Sequence, residues 1–313
     1  MSDFLNAVLG LNFFMATVRA AVPLIFAALG CIFAERSGII NVAAEGMMLI
    51  GSFTATAVAV TCDNLWLGVL AGIFIGALLG LLLGLLTITF AADQIVVGIT
   101  LNIIALGITS FLVRLWFPLA GGTDPTRTPL FPTLHIPFIS DIPFFGPLLF
   151  GQGPLEYLAF AFVPLSYFFL FRTFPGLIVR SAGESARTVD TAGFNVYLIR
   201  YLGVLISGAL CGLGGAYLSL GWVHVFIDNI PMGRGFIALA AVIFGKWNPF
   251  GALAASLLFA GADALQIRLQ GANLGIRFEW LLMLPYLLTL IALVGAIGRS
   301  RPPAEEGIPY IKE

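Results

Sequence analysis

"GVLAGIFIGALLGLLLG", residues 68–84, carries no charged or polar side chain, and a glycine returns at every fourth position: Gly68, Gly72, Gly76, Gly80 and Gly84. In water this would be a poor helix, because each glycine costs up to about 1 kcal/mol of helix propensity. In a bilayer the backbone has only itself to satisfy its N–H and C=O groups, so an uncharged run of this length has to be helical. Residues four apart share a helix face. The five glycines therefore form one small-residue stripe, along which a second helix backbone can approach closely.

The rest of the chain has the same character. Of 313 residues, 59% are hydrophobic and 10% charged, with a mean hydropathy of +1.02; soluble domains carry about 25% charged residues. Barrel strands would alternate apolar and polar positions, and these runs do not. The fold class is all-α: a polytopic integral membrane protein forming a single transmembrane domain over residues 1–313. Length and hydropathy place about nine spans (eight to ten) near 13–34, 42–62, 67–90, 95–117, 154–172, 199–221, 234–245, 249–270 and 279–298. The seventh is short enough to be a half-helix.

A net charge of −1 without any Lys/Arg cluster argues against nucleic acid as a partner. Cys31, Cys62 and Cys211 lack metal-ligand spacing and read as small packing residues. No basic region precedes the first apolar run, so no cleaved signal peptide is expected.

Lys and Arg set the orientation. Arg172, Arg180, Arg187 and Arg200 surround a central insert, and Arg299, Arg301 and Lys312 lie in the tail. The positive-inside rule makes the central segment 173–198 and the tail 299–313 cytoplasmic, which puts the N-terminus outside. The Pro-rich stretch 118–153, with the single basic residue Arg127, is then an external loop. "LGVLAG" (67–72) and "FGALAA" (250–255) each open a long span, and the two spans run in opposite directions, as an inverted repeat would require.

The insert "SAGESARTVDTAGFNVYLIR" (181–200) is the most hydrophilic interior stretch. Ser181 and Glu184 match a capping box and Gly193 supplies a left-handed stop, which predicts one short helix over 182–192. Ala182, Ala186 and Val189 share one face; Glu184, Arg187 and Asp190 share the other. Asn195 caps the helix that follows. Such an element is either a connector lying on lipid headgroups or a docking element for a cytoplasmic protein.

Four stretches carry a resemblance: "FAERSGIINVAAEGMMLIGSF" (33–53), "AGESARTVDTAGFNVYLIRYLGVLISGALCGLGGAYLSLG" (182–221), "GRGFIALAAVIFGKWNPFGALAASLLFAGADALQ" (233–266) and "LPYLLTL" (284–290), with a similar ending in "GIPYIKE". The chain resembles permease subunits of ABC importers in the branched-chain amino acid/ribose superfamily, nucleoside and simple-sugar branch. Residues 118–153 fall outside the likeness. The resemblance implies that the central insert is a coupling helix seated in an ATP-hydrolysing subunit, with Glu184, Ala186, Arg187, Val189, Asp190 and Gly193 forming the coupling surface. It also implies a paralogous second permease and an extracytoplasmic solute-binding protein as partners, besides membrane lipid. The cofactors, ATP and Mg, are expected on the ATPase and none on this chain. "AAVIFGKWN" is not a phosphate-binding loop, because Ala240 and Trp247 stand where glycine and Ser/Thr are required. The chain is read as a transport subunit and not an enzyme.

Polar residues inside a membrane are functional candidates by default. Asn102, Asp263 and Gln266 are candidates for the translocation path, Asp263 facing the bundle interior against a cation or a wet path. Asn102 serves either a solute hydroxyl or a bridge to a neighbouring helix. Asn41 and Glu45 are candidates for gating or for structure, Glu45 in the first turn of the second span near Arg36, where the helix dipole favours a carboxylate. Arg127, Arg234, Arg268 and Arg277 are external cations that could dock a binding protein. The competing class is an ion-coupled secondary transporter or channel; an intramembrane enzyme has no clustered catalytic set behind it.

Overall fold

The computed structural model describes residues 10–117, 123, 131–132, 151–271, 280, 283, 287 and 301–312, and among these every regular element is a helix. In chain order they are α1 (Leu11–Arg36), α2 (Ala44–Cys62), α3 (Leu65–Gly84), α4 (Gln94–Trp116), α5 (Pro154–Arg172), α6 (Phe174–Glu184), α7 (Ala186–Thr191), α8 (Val196–Ala216), α9 (Arg234–Phe244) and α10 (Pro249–Gly271). Single π-helical turns extend α3 to Thr89 and α8 to Trp222. Seven of these helices are long and apolar enough to cross a bilayer: α1 to α5, α8 and α10. They match seven of the nine expected spans. The short span at 234–245 is α9, of 11 residues, and 279–298 lies outside the described residues except for Trp280, Met283 and Leu287.

Side-chain caps start several helices. Asn64 accepts from the N–H groups of Trp66 and Leu67 before α3, Asp93 from Ile95 and Val96 before α4, and Asn195 from Leu198 before α8, each satisfying donors that a helix start leaves open. α1 is the central post: from Ala20 to Glu35 every residue is buried, with α8, α9 and α10 packed around it.

The glycine stripe does what its spacing predicts. A Cβ on Gly76 would run into the carbonyl oxygen of Gly208 and lie 2.7 Å from the Gly212 Cα, while one on Gly72 would lie 3.0 Å from the Gly51 oxygen and 3.1 Å from the Ala216 Cβ. α3 thus packs backbone to backbone on α8 and α2, and its other face points Leu70, Phe74 and Leu78 outward. α8 presents Gly208, Gly212 and Ala216 to α3. On its other side, Ser207 and Cys211 approach Asn41, and a Cβ on Gly215 would strike the Met48 oxygen.

The central insert differs from the single helix 182–192. Ser181 lies inside α6, whose cap is Thr173, and the chain breaks at Ser185, the cap of α7. Gly193 does adopt the left-handed stop, at φ +88°. Two serines compete as caps here, and the Ser185 side chain wins by bonding the Thr188 N–H and hydroxyl. Ala186 and Val189 are not on a free surface. They form a small buried cluster with Ala182 and Val196, against which Tyr310 of the tail packs.

The tail binds this α6–α7 elbow. Glu305 N–H donates to the Gly183 oxygen at 2.8 Å and Ala304 N–H to Glu184 Oε2 at 3.3 Å; Lys312 Nζ donates to Asp190 Oδ1 at 3.0 Å. The Lys312 bond is the main reason the Asp190 carboxyl is held below its ordinary value. Glu306 lies next to Arg36 and Glu35 in the same contact, and burial pushes its carboxyl up to about 7, with Arg36 opposing. A carboxyl raised on docking favours the docked state when protonated, so its support is full below the ordinary value of 4.5 and fades as pH rises through about 7. Hydrogen-exchange protection of the 304–308 amides is therefore expected to fall between about pH 4.5 and pH 7, and Glu306→Gln should flatten that dependence. An unchanged slope in the variant would assign the effect elsewhere.

Candidate functional site

Between α1 and α2, residues 37–43 are not helical, yet Ser37, Ile39 and Asn41 are fully buried. Irregular backbone survives at membrane depth only where protein satisfies it, and side chains of α4 do so here. Gln94 Oε1 accepts from Ile40 N–H at 2.8 Å; Asn102 Nδ2 donates to the Val42 oxygen at 2.9 Å, and its Oδ1 accepts from Gly46 N–H at 2.7 Å. Asn102 is thus the bridge to a neighbouring helix, with both ends of its amide engaged in capping α2 from α4. The Asn41 Nδ2 donates to Ser207 Oγ at 2.7 Å, while its buried Oδ1 has no protein partner.

This loop delivers Glu45, in the first turn of α2, to the start of α9. Its Oε1 accepts from Gly233 N–H at 2.7 Å and its Oε2 from Gly235 N–H at 2.6 Å. Gly233 takes φ +87°, and a Cβ on Gly235 would collide with the Glu45 backbone. One carboxylate therefore caps two orphan donors of a helix on another part of the chain, at the positive end of its dipole. Arg36, expected near Glu45, donates to the Trp247 oxygen at 3.2 Å.

Between the two capped glycines stands Arg234. Its guanidinium lies 4.8 Å from the centre of the Trp222 ring and donates to the Pro231 oxygen at 3.3 Å. The carboxylates of Asp263 and Glu45 lie within its electrostatic reach. This corrects the external position expected for Arg234. Arg234 is half-buried and engaged by Trp222 and Pro231, so it is not the exposed cation expected; the far end of its 11-residue helix is tied to Arg36 at the end of α1. The short length of 234–245 already allowed a half-helix; what it could not show is Glu45 as the cap of that helix.

Asp263 faces inward toward a cation, as its cost in lipid requires. Gln266 follows one turn later on α10 and is half-buried, as is Arg268 nearer the end of that helix. Arg127 and Arg277 lie outside the described residues. Trp222 and Gln94 were not singled out by sequence; "GRG" at 233–235, two glycines around a charge, was the available signal for a backbone turn there. The assembled set is a carboxylate, a guanidinium, a second carboxylate and an indole face.

The sequence profile described as "Branched-chain amino acid transport system / permease component" matches residues 13–293. Among curated relatives, the guanosine ABC transporter permease protein NupQ of Bacillus subtilis is 43% identical, over 95% of this chain and 95% of its own. The nucleoside ABC transporter permease protein NupC of Lactococcus lactis is 37% identical, over 93% and 94%. The guanosine ABC transporter permease protein NupP of Bacillus subtilis is 27% identical, over 82% and 74%. No solved structure matches the chain significantly.

Proposed function

Because the chain belongs to the family of branched-chain amino acid transport system permease components, we propose that it is the membrane-spanning permease subunit of an ATP-driven importer of nucleosides. It is a multi-pass protein of the cell membrane, and it acts as a transport component. The observation that carries the substrate class is the near full-length identity to two permeases named for guanosine and nucleosides. The Arg234 cluster is compatible with it: an indole face and charged hydrogen-bonding groups suit a heterocycle bearing hydroxyls.

The α6–α7 elbow is the coupling element, docked on an ATPase that holds ATP and Mg. Its exposed side carries Arg187, Thr188, Thr191 and Phe194, and these replace Ala186 and Val189 as the contact residues. A second permease completes the pore; two permeases of Bacillus subtilis that bear the guanosine name are both related to this chain. A solute-binding protein delivers the nucleoside from outside, with Arg127, Arg268 and Arg277 as docking cations. The openings of α3 and α10 mark an inverted repeat. An ion-coupled mechanism is disfavoured because Glu45 is committed to two backbone N–H groups and faces Arg234.

The test is uptake of radiolabelled guanosine into proteoliposomes holding the complete transporter. Uptake should require ATP and binding protein and persist when proton and sodium gradients are dissipated. Gradient-driven uptake without the ATPase would overturn the assignment.

A further inference from the structure

Arg200, near the start of α8, is among the most buried side chains of the protein, at 1% exposure. Its Nη1 donates to the Ile308 oxygen at 2.8 Å and its Nη2 lies 3.9 Å from Glu305 Oε2, while Nε and Nη2 have no hydrogen-bond partner. A buried, incompletely bonded cation costs stability, so its retention calls for a role beyond packing. On its other side the guanidinium presses on Gly38: a Cβ there would lie 2.9 Å from Nη2, and Gly38 takes φ +97°. Gly38 begins the buried loop that leads to Asn41 and Glu45.

Glu305 completes the junction. The same Oε2 that faces Arg200 accepts from Ala186 N–H, the first residue of α7, at 2.9 Å. Gly307 N–H donates to the Gly38 oxygen at 3.1 Å, and Glu305 N–H to Gly183 at the end of α6. The tail thus holds the elbow on one side and the buried loop on the other. Elbow, tail, Arg200 and loop form one contiguous contact that ends at the capped start of α9.

We propose that the C-terminal segment 301–312 is a transmission strap, with Glu305 and Arg200 as positioning residues, which carries displacement of the α6–α7 elbow to the Gly38–Glu45 loop and so to Arg234. This rests on the importer reading, and it adds the route by which the elbow reaches the solute site. Cutting the strap should leave the ATPase docked and turning over without moving solute.

The measurement is the ratio of ATP hydrolysed to guanosine imported by the reconstituted complete transporter. In Glu305→Ala, uptake should fall about tenfold while hydrolysis stays within about twofold of wild type, a loss in the range of ordinary site-to-site coupling. Glu305→Asp, which keeps the charge, should recover a large part of the uptake. Lys312→Ala removes only an exposed tie to Asp190, cannot unfold the bundle, and should raise the ratio about two- to threefold. Parallel loss of uptake and hydrolysis overturns the strap, as does an unchanged ratio in Glu305→Ala. Failure of Glu305→Ala to assemble, together with a wild-type ratio in Lys312→Ala, overturns it too. Absence of ATP-driven uptake in the wild-type complex is a different result, since it overturns the importer reading itself.

Discussion

Glu45→Ala should abolish uptake, by about 100-fold or more, and lower stability by about 3–5 kcal/mol, the usual consequence of removing one partner from a buried charged network. The effect has two sources. Gly235 would keep a buried N–H with no acceptor, at about 1–3 kcal/mol, half-buried Gly233 would lose its acceptor too, and α9 would lose the anion at its positive end. Arg234 would then face Asp263 without the second carboxylate. Glu45→Gln should rescue little, because it turns one acceptor oxygen into a donor aimed at an N–H. Thermal unfolding of the purified chain in detergent reads the stability loss, and guanosine uptake reads the function. Wild-type uptake in Glu45→Ala would show that the cluster is not on the solute's route.

Gly76→Leu is expected to prevent folding. Its Cβ meets the backbone oxygen of Gly208 and the Gly212 Cα, neither of which can rotate away, so α3 and α8 must separate along the stripe. Overpacking alone costs about 1–3 kcal/mol, and the parted helices also forfeit the contacts that hold them together. Membrane-inserted monodisperse protein should fall to a small fraction of wild type. Gly107 is the control: a Cβ there meets nothing within 4 Å, so Gly107→Ala should be neutral or gain up to about 1 kcal/mol from helix propensity. Equal losses at both positions would mean that the stripe has no special part in the fold.

These two predictions also mark what sequence could and could not disclose. The stripe was legible because its signal is local: glycines four apart, on a helix the bilayer enforces. Asn195 as a cap, Gly193 as a stop and the inward turn of Asp263 were legible for similar reasons. The partners of Glu45 were not, since Gly233 and Gly235 lie 188 and 190 residues away. Arg234 was read as an exposed cation because Glu45, Asp263 and Trp222 are brought around it only by the fold. The charges on the central insert looked outward-facing, but Glu184 and Asp190 are engaged by Ala304 and Lys312, at separations of 120 and 122 residues. No pattern within the insert could reveal a tail so distant.

The non-helical loop at 37–43 bears on how the protein is made. Its backbone groups at Ile40 and Val42 find their partners on Gln94 and Asn102, 54 and 60 residues downstream. Until those residues leave the ribosome, seating the loop in hydrocarbon would expose unpaired amides at several kcal/mol each. The first hairpin is therefore expected to settle only once the fourth crossing has emerged, and a stalled nascent chain ending before Gln94 should leave it unsettled.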